Sequence, residues 1–221
     1  QLNNDYVAAI QRNGGIAVIL APTTDEKTLE TYVRMLDGAV LSGGPDIPPE
    51  FYNQTPHATT KVMETTRFEF ERRFIKAFLD SNKPVLGICL GMQLLFQSSR
   101  EFGLHQGLGL LQGDVAPLAV AVAKAGLALK TPHMGWNSLL FQRPDCPLLH
   151  ESHEGEYMYF VHSYYVRNCG ESLTASADYG IMVPALVWQG HIYGCQFHPE
   201  KSGAAGLRIL QAFATGEAAG Q

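Results

Sequence analysis

No run of apolar residues in this chain approaches the length of a membrane span, which argues against a transmembrane helix. Base is not in excess either. Sixteen Lys and Arg stand against 21 Asp and Glu, for a net charge of −5, the wrong sign for a nucleic-acid-binding surface. The four cysteines, Cys89, Cys146, Cys169 and Cys195, form no Cys-x-x-Cys pair and no metal spacing. No secretory signal opens the chain at Gln1. Reduced thiols in a cytoplasmic protein are therefore expected, with no metal or other cofactor, no nucleic acid and no membrane among its partners. Repeats and linkers are also lacking. What is present, 221 residues of which 46% are hydrophobic, suffices for one α/β domain with a full core, taken as residues 1–221.

The most informative stretch is Pro84-Val85-Leu86-Gly87-Ile88-Cys89-Leu90-Gly91-Met92-Gln93. It reads as a buried strand turning sharply into a helix, with a cysteine at the bend. Gly87 and Gly91 bracket Cys89 at the spacing of a nucleophile elbow. Helix N–H groups aimed at the sulfur favour thiolate over thiol. A lone cysteine is more often a small buried hydrophobe. The glycine bracket and a distal Gln196-Phe197-His198-Pro199-Glu200 reverse those odds.

Along the chain, residues 5–12 look helical and are stopped by Gly14-Gly15. The apolar run 16–20 reads as a strand buried on both faces. A helix over 24–36, capped by Thr24 or Asp25, leads to a strand at 38–41 and the loop Ser42-Gly43-Gly44-Pro45. Residues 48–60 are expected to be irregular, and 67–80 to form a long amphipathic helix. The nucleophile strand, 84–88, is followed by a helix over 91–99. Alternating helices and buried strands predict a doubly wound, mainly parallel sheet flanked by helices. The second half reads as hairpin-rich, with strands at 157–161, 173–177, 185–188 and 191–196 and a turn at Gln189-Gly190. Residues 115–128 read as irregular or short strands, and Ser202 as the cap of a final helix over 204–215. A doubly wound domain normally opens with a strand, yet this chain opens with a helix. Either a first strand precedes Gln1 or the sheet is built differently.

A cysteine nucleophile needs a base, an orienting group and an oxyanion site. His198 is the candidate base and Glu200 its orienter, on one side of a stretch fixed by Pro199. A His-Pro-Glu tripeptide by itself is most often a solvated loop. Leu90, after the nucleophile, supplies one backbone N–H for an oxyanion, and Gly44, with Gly43 close behind, the second. A Gly-Gly-Pro loop on its own is usually only a turn. Gln93 shares a helix face with Cys89 and can bond a polar substrate. The segment His162-Ser163-Tyr164-Tyr165 can offer backbone groups to a small amphoteric ligand. His133, Trp136 and Asn137 form a polar-aromatic cluster for which a structural role is at least as good a reading.

These residues resemble the class I (triad) glutamine amidotransferases. From about residue 84 onward, Gly-Ile-Cys-Leu-Gly-Met-Gln (87–93), Pro-His-Met-Gly-Trp-Asn (132–137), Tyr-Phe-Val-His-Ser-Tyr-Tyr (159–165) and Gln-Phe-His-Pro-Glu-Lys-Ser (196–202) are similar to the glutaminase subunits of imidazole glycerol phosphate synthase. The front, with Leu36-Asp37-Gly38, Leu41-Ser42-Gly43-Gly44 and Arg67 to Glu71, instead resembles γ-glutamyl hydrolases of the peptidase C26 type. The resemblance implies attack by Cys89 on the amide of glutamine, with Gln93, Ser163 and Tyr164 holding the α-amino and α-carboxylate groups. It implies a (β/α)8-barrel synthase subunit as partner in histidine biosynthesis, met near Trp136, Asn137 and Lys201. The front half carries the alternative, a stand-alone γ-glutamyl hydrolase, although that family commonly has Arg where this chain has Leu90. A third reading, a degenerate binding module, sits poorly with an intact Cys-His-Glu set.

Overall fold

The computed structural model describes residues 4–42, 65–101 and 103–216. The loop from Gly43, including Gly44 and the stretch 48–60, lies outside the described residues. The element order runs α1 (Asn4–Arg12), α2 (Glu26–Met35), β1 (Ala39–Leu41), α3 (Thr65–Leu79), β2 (Val85–Ile88) and α4 (Leu90–Leu94). It continues with β3 (Phe96–Ser99), β4 (His105–Gln106), β5 (Leu111–Pro117), α5 (Leu118–Lys124) and β6 (His133–Phe141). The rest comprises β7 (Tyr157–His162), β8 (Tyr164–Arg167), β9 (Leu173–Asp178), β10 (Met182–Gln189), β11 (Ile192–Cys195) and α6 (Gly203–Ala214).

Seven strands form one sheet in the order β1-β2-β11-β10-β9-β6-β7, and a second sheet runs β4-β3-β5-β8. Parallel pairing in the larger sheet belongs to β1 with β2 and β2 with β11. Beyond β11 the pairings are antiparallel, as the hairpin-rich second half predicts, so the sheet is mixed and the parallel pairing expected of it is confined to the β1-β2-β11 edge. β10 and β11 are joined by a tight turn at Gly190, whose φ of 60° suits a residue without a Cβ.

The core lies on both faces of the larger sheet. On one side α1 and α6 bring Tyr6, Ala9, Ile209, Leu210 and Phe213 onto Leu86, Ile88, Leu186, Tyr193 and Phe197. On the other, Met92, Leu95, Phe96, Leu111, Val115 and Val166 fill the space toward the smaller sheet. Each large aliphatic side chain sealed in this way contributes about 1.5–3 kcal/mol. In the front, Phe70, Phe74 and Phe78 stack at i, i+4 along α3 and cover Ala39 and Val85. Asp25 caps α2: its Oδ2 accepts from the Thr28 N–H at 2.8 Å and from the Thr28 hydroxyl at 2.6 Å.

Four expectations from the sequence change. Residues 16–20 form no strand: Ile16 is 89% and Ile19 66% exposed, and the run has no ladder partner among the described residues. Apolar, β-branched composition makes a strand only where a neighbour accepts its hydrogen bonds. The helix after Cys89 ends at Leu94, and Phe96–Ser99 is a strand. There the carbonyls of Leu94, Leu95 and Phe96 accept N–H groups of Leu108, Leu110, Leu111 and Gly109, so a crossing segment captures the acceptors that a longer helix would need. Residues 118–124, expected to be irregular or strand, are helical; Leu118 and Val122, four apart, are buried on one face. Ser202 precedes α6 but makes no side-chain cap. Its hydroxyl is used in the site described next.

Candidate active site

β2 is buried along its length and flanked by parallel strands on both sides. It ends at Cys89, which has φ 54° and ψ −107°. Positive φ is strained for an L side chain, and such strain persists only where the surroundings hold it. Here the Cys89 N–H donates to the Cys195 carbonyl at 2.7 Å, and the Cys89 carbonyl accepts from the Gln93 N–H at 3.1 Å. The two bracketing glycines make room for the bend. A Cβ at Gly87 would stand 2.5 Å from the Gly91 carbonyl oxygen, and one at Gly91 would collide with the Leu41 carbonyl oxygen at the end of β1.

His198 follows β11 and is pinned by its own backbone. Its N–H donates to the Tyr159 carbonyl at 2.9 Å, and its carbonyl accepts from the Ser202 hydroxyl at 2.6 Å. The same hydroxyl oxygen accepts from the Tyr159 N–H at 2.9 Å, which ties β7 to the start of α6. The imidazole Nδ1 stands 2.9 Å from Glu200 Oε1, on a carboxylate with no solvent exposure. That leaves Nε2 for Cys89. Burial alone would lower the His198 pKa, but hydrogen bonds to Cys89 and to Glu200 and their negative charges outweigh it, so the group is raised to about 9. An imidazolium held between a sulfur and a carboxylate is the charge arrangement of an activated cysteine nucleophile.

Tyr6 of α1 completes this corner. Its hydroxyl lies 3.4 Å from His198 Nδ1, and burial first, then the Glu200 charge, hold the phenol protonated well above its usual range. The sequence offers no signal for this contact, which arises from the docking of α1 on α6 and the His198–Glu200 turn.

The other side of the sulfur is polar. Cys89 Sγ lies 3.9 Å from the Val161 carbonyl oxygen, and Gln196 Nε2 donates toward Sγ at 3.7 Å. Gln93 donates from Nε2 to the Tyr164 carbonyl at 2.9 Å and to Gln196 Oε1 at 3.1 Å. His162 Nδ1 stands 2.8 Å from the same Tyr164 carbonyl. His162 Nε2 is 3.0 Å from His133 Nδ1, and His133 Nε2 is 2.7 Å from Asn137 Oδ1. Burial pushes His162 down to about 3 and also lowers His133. Sequence reasoning does not single out Gln196, although it lies two residues before His198, in the bend that follows β11.

Among the remaining candidates, Leu90 opens α4 directly after the nucleophile. Ser163 is exposed and its carbonyl accepts from the Leu118 N–H at 2.9 Å, so the carbonyls of Ser163 and Tyr164 both serve internal contacts. Gly43 and Gly44 lie outside the described residues. Trp136 sits with Met134 and Tyr157 on one face of the β6–β7 hairpin, each more than half exposed. Lys201 is exposed beside Glu200. The other three cysteines are buried, and burial pushes the Cys146 and Cys169 thiols up to about 12. No helix among the described residues is long and apolar enough to cross a membrane.

Comparison with known proteins bears on both parts of the chain. The peptidase C26 family matches residues 1–107. The imidazole glycerol phosphate synthase subunit HisH of Bacillus licheniformis is 54% identical over 143 residues, which cover 64% of this chain and 66% of that protein. The HisH subunit of Streptococcus sanguinis is 48% identical over 153 residues, covering 67% of this chain and 70% of that protein. The chain thus spans about two thirds of the length of these curated relatives. A solved structure of a glutamine amidotransferase superposes with a TM-score of 0.61 at 18% identity, covering 96% of this chain and 93% of that one, a likeness of fold. With identity near one half over most of its length, this chain belongs to the class I glutamine amidotransferase family, in the branch of the HisH subunits.

Proposed function

We propose that the chain is a glutaminase that splits the side-chain amide of glutamine and delivers the ammonia to a synthase partner. The observation that carries this reading is Cys89 on a positive-φ elbow, with His198 held between it and Glu200. The Cys89 thiolate attacks the amide carbon. The backbone N–H groups of Leu90 and Gly44 take up the negative charge on the oxygen. His198 gives its proton to the leaving nitrogen, and ammonia departs from a γ-glutamyl thioester. Water, deprotonated by His198, then attacks the thioester carbon; glutamate leaves and the thiolate is restored. Gln93 uses both amide hydrogens inside the protein, so its oxygen is what it offers the substrate α-amino group. Ser163 and Tyr164 complete that side of the site.

The proposed partner is a (β/α)8-barrel cyclase subunit, giving an imidazole glycerol phosphate synthase in the cytoplasm. The exposed apolar face of Met134, Trp136 and Tyr157 supports a docked partner, because it sits on the hairpin that also carries Val161 beside the sulfur. The alternative, a stand-alone γ-glutamyl hydrolase, draws its support from the match of residues 1–107 to peptidase C26. Glutamate release by the purified chain, alone and with a barrel subunit and its nucleotide ligand, separates the two. Low release that rises strongly with the barrel is expected; robust release without a partner, above all from other γ-glutamyl amides, would favour the hydrolase.

A further inference from the structure

Beside the Cys89–His198–Glu200 set, a second polar chain reaches the sulfur, and hydrogen-bond logic fixes the direction of each of its links. It begins at the Tyr164 carbonyl, which can only accept. Gln93 must therefore turn its amide nitrogen toward Tyr164, and that nitrogen, 2.9 Å from the carbonyl, has one further hydrogen. The second hydrogen goes to the neighbouring Gln196 side chain at 3.1 Å, so Gln196 must present its oxygen to Gln93. The Gln196 nitrogen is then left facing Cys89 Sγ, at 3.7 Å. The orientation of the Gln196 amide follows from an acceptor two side chains away. Gln196 has no solvent exposure, and its own N–H is held by the Ala185 carbonyl at 2.9 Å, so the side chain has no water to turn to.

We propose that Gln196 is a further catalytic residue: its amide N–H donates to Cys89 Sγ and holds the resting nucleophile as the thiolate opposite the His198 imidazolium. Gln93 and the Tyr164 carbonyl are positioning groups for it. His162 Nδ1 stands 2.8 Å from the same carbonyl. With His198 on one side, the Gln196 donor at 3.7 Å and the Val161 carbonyl oxygen farther off at 3.9 Å, the sulfur keeps its charge without a second cation. Tyr6, on the His198 side, also feels the charge of the sulfur. The inference rests on Cys89 being the nucleophile, and its test reads the thiol directly, so that it succeeds or fails whatever the substrate proves to be.

The experiment is alkylation of Cys89 by iodoacetamide in the full chain and in Gln196→Met, which keeps the volume and removes the donor. The buried Cys146, Cys169 and Cys195 stay silent in the native protein. Gln196→Met should alkylate about tenfold more slowly at pH 7 and move the alkylation-versus-pH curve to higher pH, as loss of a hydrogen bond to a charged group predicts. With glutamine as substrate, kcat should fall by a similar factor while KM stays within about twofold. Unchanged alkylation rate and pH dependence would overturn the proposal, whatever happened to turnover. Should Gln196→Met fail to fold, wild-type protein labelled with 15N-glutamine gives the answer. An exchange-protected glutamine side-chain amide must shift when Cys89 is alkylated, and a spectrum in which none moves overturns the assignment.

Discussion

Two short apolar runs of this chain have opposite fates. In residues 16–20, Ile-Ala-Val-Ile-Leu, the side chains of Ile16, Val18 and Ile19 lie open to solvent, Leu20 alone leans on the α3 cluster, and the run has no ladder partner among the described residues. β11, Ile-Tyr-Gly-Cys, is buried from end to end between β2 and β10. Intrinsic strand preference is not what separates them, since the first run is if anything the more β-branched. The difference is two neighbours: β11 has a partner on each edge and a layer of side chains on each face. Burial follows from assembly, and the catalytic residues are attached to the run that is assembled. Cys89 ends the strand beside β11, and His198 follows β11 itself.

The comparison can be tested from its strongest point downward. Cys89→Ala should reduce glutamate release by at least about 10^4-fold with circular dichroism unchanged, and His198→Ala by about 10^2–10^4-fold. Retained turnover in the first, or a change confined to KM in the second, would take that residue out of the chemistry. Gly91→Ala should destabilise the fold by about 3 kcal/mol in denaturant melts, because the added methyl meets a backbone carbonyl and no rotamer relieves it. Near-wild-type stability there would mean that β1 is not seated against the elbow. Leu86→Ala, in the fully buried strand between β1 and β11, should cost about 2–5 kcal/mol.

Stability against pH supplies a subtler measure, since two histidines of the site move in opposite senses. His198 is raised from 6.5 to about 9, so its contribution is complete below about 6.5 and is lost as pH rises through about 9. His162 is lowered from 6.5 to about 3, so the unfolded chain takes up a proton below about 6.5 that the native site refuses, and stability falls as pH drops toward 3. Melting temperature should peak between these limbs. Cys89→Ala should flatten the alkaline limb and leave the acid limb; two unaltered limbs would deny the sulfur its part in the His198 shift. The smallest effect belongs to the open run: Ile19→Ser should change stability by less than about 0.5 kcal/mol. A loss comparable with that of Leu86→Ala would show Ile19 to be packed after all.

Much of the site was legible because its signals are local. The Gly-x-Cys-x-Gly bracket states a tight bend in five residues, and His198 with Glu200 lies within one short turn. Four strands of the second half, β7, β9, β10 and β11, were readable for the same reason, each being a short apolar stretch between turn residues, whereas β6 and β8 were not read as strands. What escaped was tertiary. Tyr6 reaches His198 from the other end of the chain, and nothing near it in sequence announces that. The helix after the elbow stops at Leu94 because residues 108–111 capture its acceptors, a competition invisible to any window around Leu94. Ser202 has the composition of a cap, yet its hydroxyl is taken up between Tyr159 and His198. Gln196 was within reach of pattern reasoning, two residues before His198, but its role depends on which way an amide points, and that is decided at Tyr164.

The junction of β1 with β2 has a consequence for how such chains can be assembled. Three residue pairs hold the two strands in register, and every bond between them is made by backbone, which is indifferent to side-chain identity. The demanding contact is Gly91 against the Leu41 carbonyl, and its demand falls on the glycine side. A graft at this seam would therefore need little from the incoming front beyond a strand of matching length that ends with a carbonyl in that place. One lineage's front could be exchanged for another's without redesigning the catalytic back.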